Sequence, residues 1–220
     1  STLHYIDADP WSDDIQLLGE KETLGFYLTG HPINKYLHDI KHLTSSRIAE
    51  LSPNAQKTQR AAGVITNIRV RQTKRGDRIG IFTLDDGSTQ IEVVCFSEVF
   101  QKNRSLITED QLIIVEGEVS LDEFSNSPRI VGRELYTIEN ARNRFAKHLT
   151  IELHDHQQLD PTQLKHLLAN FLGGNCPVLL RVLRDNIQTT IRLGKNWQVQ
   201  PSDALIAALS LQLKKVEVGY

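Results

Sequence analysis

Five cations, Arg69, Arg71, Lys74, Arg75 and Arg78, fall in one short stretch that contains a single acid, Asp77. Cations at that density track a phosphate backbone when a strand pair or loop holds them on one side. Phe82, Phe96 and Tyr136 follow at positions where a ring is available to stack on a base. The plain alternative is a charged hairpin tip that keeps the protein soluble, beside aromatics that fill a core. Charge sets a bound on the first reading. Residues 60–140 carry 10 Lys and Arg against 13 Asp and Glu, so any hold on a polyanion is local and weak. Glu116, Glu118, Asp122 and Glu123 would repel a strand that strayed toward them.

The other reactive residue types form no convergent set. Asp7 and Asp9 have the spacing that on a rigid strand holds two magnesium ions for phosphoryl transfer, but they lie in an aperiodic stretch before Pro10-Trp11. That makes them a solvated linker. Asp85-Asp86 precedes Gly87 and reads as a turn, and His154 and His156, flanking Asp155, lack the Cys and His partners of a zinc site. Neither a phosphate-binding glycine loop nor a nucleophile elbow is present. The sequence therefore offers no catalytic residue and no metal ligand set, and no cofactor is expected.

The elements that must position these residues follow from periodicity. With 220 residues and 40% hydrophobic content the chain can build real cores. Residues 1–12 are acidic and aperiodic, a tail. Residues 13–60 hold a short helical hairpin and a linker: Leu17, Leu24 and Leu28 recur at helical spacing, then Ile33, Tyr36, Leu37 and Ile40 after Pro32, a residue suited to a helix first turn.

From 61 to 140 the period becomes two. Strand-like runs at Val64–Val70, Arg78–Leu84 and Ile91–Phe96 are joined by Lys74-Arg75-Gly76-Asp77 and by Asp85-Asp86-Gly87-Ser88. A helical link at Ser97–Leu106 leads to two further strands, Leu112–Val119 and Arg129–Ile138. Three strands, a helix and two strands describe an OB-fold, a five-stranded Greek-key barrel. Residues 139–147 read as a connection. Residues 148–220 then alternate: a strand at 149–153, a helix opened by Pro161, a hairpin from 178 to 193, a helix after Pro201-Ser202-Asp203, and a last strand at 216–220. That order, βαββαβ, is the ferredoxin-like α+β pattern. Trp197 is expected to lie over this core. Val216, Val218 and Tyr220 share one side of the final strand, and with Trp197 they are the candidate partner-binding residues.

Cys95 and Cys176 stand far apart, as in a protein of the reducing cytoplasm, and no apolar run approaches the roughly 18–20 residues of a membrane span. The absence of methionine, position 1 included, leads us to expect a piece of a longer polypeptide.

Three stretches carry a family resemblance. Glu20-Lys21-Glu22-Thr23-Leu24-Gly25-Phe26-Tyr27-Leu28-Thr29-Gly30-His31-Pro32-Ile33 resembles the segment that leads into the OB-fold of bacterial DNA polymerase III alpha subunits. Thr73 to Asp86 is similar to the first hairpin of that OB-fold, and Trp197 with Pro201-Ser202-Asp203 resembles the C-terminal domain of the proteobacterial form. The resemblance implies a barrel that contacts single-stranded template DNA. It implies a C-terminal domain that binds the tau subunit of the clamp loader, within a holoenzyme that includes the sliding clamp. It also implies that polymerase chemistry and its Mg2+ reside in an upstream domain, so that this part is non-catalytic. Gly219 and the Lys214-Lys215 pair depart from the more acidic tails of relatives. Two other readings remain open: the anticodon-binding OB module of an aminoacyl-tRNA synthetase, and a scaffold that docks only proteins.

Overall fold

The computed structural model describes residues 12–24, 30–53, 57–123, 125–154, 161–184 and 187–220. Asp7, Asp9, Leu28, Asp155 and His156 lie outside them.

Five strands close into a barrel: β1 (Gln59–Gln72), β2 (Arg78–Asp85), β3 (Gln90–Cys95), β4 (Leu112–Leu121) and β5 (Pro128–Tyr136). The order around the barrel is β1-β2-β3-β5-β4, with β3 and β5 parallel and the other pairs antiparallel. This is the OB-fold expected from the sequence. The inward set Ile65, Phe82, Leu84, Val93, Ile113, Val115 and Ile130 is fully buried, because period-2 alternation delivers one side of every strand to the interior. Between β3 and β4, helix α3 (Ser97–Lys102) plugs the barrel with Phe100, and Gly80 makes room for that ring: a Cβ there would come within 2.3 Å of it.

Helix α1 (Asp13–Leu24) precedes the barrel and leaves Ile15 and Leu18 more than half exposed. Pro32 opens a 3-10 turn (Pro32–Tyr36) that runs into α2 (Leu37–Leu43). α2 packs against α4 (Ile138–Phe145). That helix stands where the sequence pattern gives only a connection over residues 139–147. Thr137 caps α4 by accepting a hydrogen bond from the Asn140 amide, and Ile138, Ala141 and Phe145 give it an apolar stripe shared with Arg142.

The C-terminal domain contains β6 (His148–His154), α5 (Pro161–Ala169), the short β7 (Leu172–Cys176), β8 (Val178–Arg184), β9 (Ile187–Arg192), α6 (Asp203–Ser210) and β10 (Lys215–Gly219). Its four-stranded sheet has the order β10-β6-β8-β9. The α+β class and the succession of main elements agree with expectation, but the ferredoxin-like sheet order does not. β6 and β8 pair directly and in parallel across the α5 crossover, so no strand is inserted between them and β9 falls outside. The six residue pairs of that parallel ladder, from Leu149–Val178 to His154–Leu183, occupy the place a split arrangement would leave for another strand. Gly174 has no room for a side chain, since a Cβ would lie 2.1 Å from the Val199 carbonyl.

One polar cluster joins these parts. The Arg142 guanidinium, almost fully buried, donates through Nε and Nη2 to both carboxylate oxygens of Asp39 on α2, at 2.9 and 2.7 Å. Its Nη1 donates to Asp203 at the start of α6 at 2.5 Å. Tyr36 donates to the other Asp203 oxygen and Tyr220 to Asp39. Burial alone would push the Asp39 carboxyl up, but the hydrogen bonds from Arg142 and Tyr220 and the arginine charge together lower it below its ordinary 3.8. Its contribution to stability is therefore complete above that value and fades as the pH falls toward the lowered one.

Arg142→Ala, which leaves two carboxylates facing each other with one of them buried, should cost about 3–5 kcal/mol in urea denaturation. Arg133→Ala, which breaks the exposed pair with Glu118, should cost at most about 1 kcal/mol. Equal costs for the two would show that the cluster does not join the parts.

Candidate nucleic-acid interface

The candidate face is built by one irregularity in β1. Thr66 pairs with Thr83 and Arg69 with Ile81, so three steps on β1 match two on β2. Asn67, at φ 53°, carries the extra residue. Had the register continued unshifted, Arg69 and Arg71 would oppose Gly80 and Arg78, whose sides of β2 turn toward the interior. The bulge instead sets them opposite Ile81 and Ile79 on the outer face.

Across that face the registers line up Arg69, Ile81, Val94 and Val131 in one row, and Arg71 with Ile79 in the next. The result is a groove of about 580 Å³ with an apolar floor of Ile79, Ile81, Val94 and Val131. Phe96, 53% exposed, stands in its wall with Arg71, and the loop after β4 closes the far side through Asp122, Ser125 and Ser127. Asp122 shapes that loop by accepting from the Ser125 amide at 2.9 Å and from Arg129 at 2.8 Å. Glu92 accepts from Arg69 at 2.8 Å. Thus Arg69, beside the groove, and Arg129, in its wall, are already paired with acids, whereas Arg71 has no acidic partner among the described residues.

The sequence candidates separate on this geometry. Arg69, Arg71 and Phe96 come together on the outer face. Lys74 and Arg75 sit exposed in the turn beyond it, where Gly76 takes φ 89°. Arg78 is exposed at the start of β2, on the opposite side of the strand from Ile79. Phe82 is corrected: it is wholly buried among the barrel's inward residues and can meet no base. Tyr136 is also buried, edge-on to Phe145. Sequence reasoning missed the floor residues Ile79, Ile81, Val94 and Val131 and the wall residue Arg129. Their signal was present as the second apolar set of β2 and β3, which remains after the inward positions are assigned.

The C-terminal candidates are engaged internally. β10 lies at a sheet edge as expected, but Val218 is buried in the domain core and Val216 packs against it. The Tyr220 ring stacks on His42 at 5.3 Å, and its hydroxyl bonds Asp39. Trp197 lies half-buried against the same core, the lid position expected for it. These four residues pack within the fold, while β10 pairs with no second strand among the described residues.

The acids that line the groove, Glu92 and Asp122, are each engaged by an arginine. Asp86 is a turn residue, accepting from the Ser88 and Thr89 amides at 2.9 Å each, and His154 hydrogen-bonds Glu152 at 2.9 Å. No group of three His, Cys, Asp or Glu among the described residues is placed to hold a metal ion. Cys95 and Cys176 are buried free thiols that burial pushes up to about 12 and about 11, which keeps them protonated and inert.

Comparison with known proteins adds the family. Residues 60–138, the barrel, match the family described as "OB-fold nucleic acid binding domain". Residues 163–213 match "DNA polymerase III subunit alpha, C-terminal domain". The DNA polymerase III alpha subunit of Escherichia coli K12 is 40% identical over 206 residues, and that of Pseudomonas aeruginosa 42% over 205, each alignment covering 92% of this chain. The chain belongs with the C-terminal region of DNA polymerase III alpha subunits. It spans 17–18% of the length of those relatives. A domain of replication protein A from Methanococcus maripaludis shares 15% identity at TM-score 0.36 over 44% of this chain and 97% of that one, a likeness too loose to add to the assignment. The C-terminal match favours the alpha-subunit reading over an anticodon-binding module.

The different placement of two phenylalanines gives a direct check. Phe82→Ala should cost about 3–5 kcal/mol of stability in thermal or urea unfolding. Phe96→Ala should change it by less than about 0.5 kcal/mol. Similar losses for both would place Phe96 in the core and remove it from the groove.

Proposed function

We propose that the barrel of this alpha-subunit region holds single-stranded DNA along the outer groove. The observation that carries the reading is the placement of an exposed aromatic ring, Phe96, and of Arg71, an arginine without an acidic partner among the described residues, at one end of an apolar floor. A base stacks on Phe96 and lies over Ile81 and Val94. Arg71, with Lys74 and Arg75 beyond it, follows the phosphates. The Arg69–Glu92 and Arg129–Asp122 pairs limit the net positive charge, which suits a contact that forms and releases as template moves. The C-terminal domain serves in the same reading as the docking site for the tau subunit, within an assembly that includes the sliding clamp. Nucleotidyl transfer and its Mg2+ belong to another part of the parent polymerase. None of the described helices is long and apolar enough to cross a membrane. The proposed role in replication places the chain in the cytoplasm.

The test is a titration of fluorescent oligo-dT into the purified chain at several salt concentrations. Phe96→Ala should weaken binding by roughly 5- to 150-fold, the equivalent of about 1–3 kcal/mol for one stacked base. Reversing Arg71, Lys74 and Arg75 to Glu should flatten the slope of log K against log salt by about 2, at about 0.7 per phosphate contact. Unchanged affinity and slope in a folded variant would move the binding face elsewhere, and no binding by the unmodified chain would favour a scaffold that docks only proteins.

A further inference from the structure

The far edge of the C-terminal sheet differs from the edge formed by β10. All six residues of β9, Ile-Gln-Thr-Thr-Ile-Arg, are exposed, with Ile187 at 68% and Ile191 at 48%. Register explains why these isoleucines belong to an apolar face. Ile191 lies opposite Leu180, which lies opposite Ile151, and both of these pack into the core beneath the helices. Ile187, Thr189 and Ile191 therefore extend the helix-covered side of the sheet by one uncovered row.

Natural edge strands are blunted by prolines, bulges, inward charges or a covering loop. β9 has none of the first three: its pairing with β8 is regular over six residues, its only charge is the terminal Arg192, and it pairs with no other strand among the described residues. Its surroundings are cationic. Of the cations in residues 178–200, Arg181 pairs with Glu152 at 3.5 Å, whereas Arg192 and Lys195 stand exposed at the end of β9 with no acidic partner among the described residues.

We propose that β9 is a docking edge for an extended, acidic segment of a partner protein, which adds to the sheet as a fifth strand. Main-chain hydrogen bonds from the open side of β9 hold the segment. Its alternate apolar side chains cover Ile187 and Ile191, and its carboxylates meet Arg192 and Lys195. A second copy of this chain fits less well, because it would bring the same excess of positive charge against itself. The proposal rests on the reading of this domain as a docking module, and it names the surface and the chemistry of what docks.

The experiment uses the whole chain with the tau subunit as probe, measuring affinity and amide hydrogen exchange together. Binding should slow exchange within residues 187–192 at least tenfold and weaken as salt is raised. Ile187→Gln with Ile191→Gln should lower affinity at least tenfold without altering the unfolding curve, and Arg192→Glu with Lys195→Glu should do the same while reducing the salt dependence. Affinity within twofold of the unmodified chain for both variants, with β9 exchange unchanged by tau, would overturn the proposal and leave the docking reading standing. Failure of the unmodified chain to bind tau would overturn both. Dimers of this chain that the isoleucine substitutions abolish would replace the proposed occupant with a second copy.

Discussion

A guanidinium buried among three structural units must either find carboxylates in each or destabilise all of them, and Arg142 finds two. Asp39 takes one side of its fork from α2, Asp203 takes the other from α6, and Arg142 itself stands on the helix that leaves the barrel. Two tyrosine hydroxyls occupy further carboxylate lone pairs, and the Asp203 amide donates to Glu139 at 2.9 Å. Burial opposes every charge in the set, so the cluster is favourable only when complete. Completion requires α2, α4, α6 and the last residue to be in place together. The relative setting of barrel and C-terminal domain thus follows from chemistry at one point.

Two surfaces inherit their placement from that joint. On the barrel, the bulge at Asn67 turns Arg69 and Arg71 outward, and the registers of β2, β3 and β5 supply the apolar floor between them and Phe96. In the C-terminal domain, the direct pairing of β6 with β8 sends β9 to an edge that the helices do not reach. Acids temper the first surface, because Glu92 and Asp122 each engage an arginine at 2.8 Å. The second lacks such compensation at Arg192 and Lys195 among the described residues. A weakly charged groove suits a ligand that must slide, whereas an open basic edge suits a partner that stays.

Much of this was legible in the residues. Alternation and the glycine turns at Gly76 and Gly87 placed all five barrel strands, since a period of two with a positive-φ glycine has few other solutions. The basic cluster is legible from composition alone, and Phe96 from its place at the end of the third alternating run. The bulge was not visible, because one inserted residue changes facing without changing composition. Phe82 and Phe96 look alike in sequence, yet an even number of positions on different strands does not put them on one face. Helix α4 escaped because Arg142 interrupts its apolar stripe where Leu would have announced it. The sheet order of the C-terminal domain escaped because βαββαβ fits more than one arrangement, and only tertiary packing selects between them.

The buried cluster makes barrel and C-terminal domain open as one unit. Native-state hydrogen exchange on the unmodified chain tests it most directly, comparing the slowest amides of β1 and β4 with those of β6 and β8. Both sets should share one opening free energy that falls in parallel as the pH drops below about 4, where the Asp39 carboxylate begins to be protonated on unfolding. Amides of β6 and β8 that exchange through a separate, lower-energy opening while β1 and β4 stay protected would contradict it.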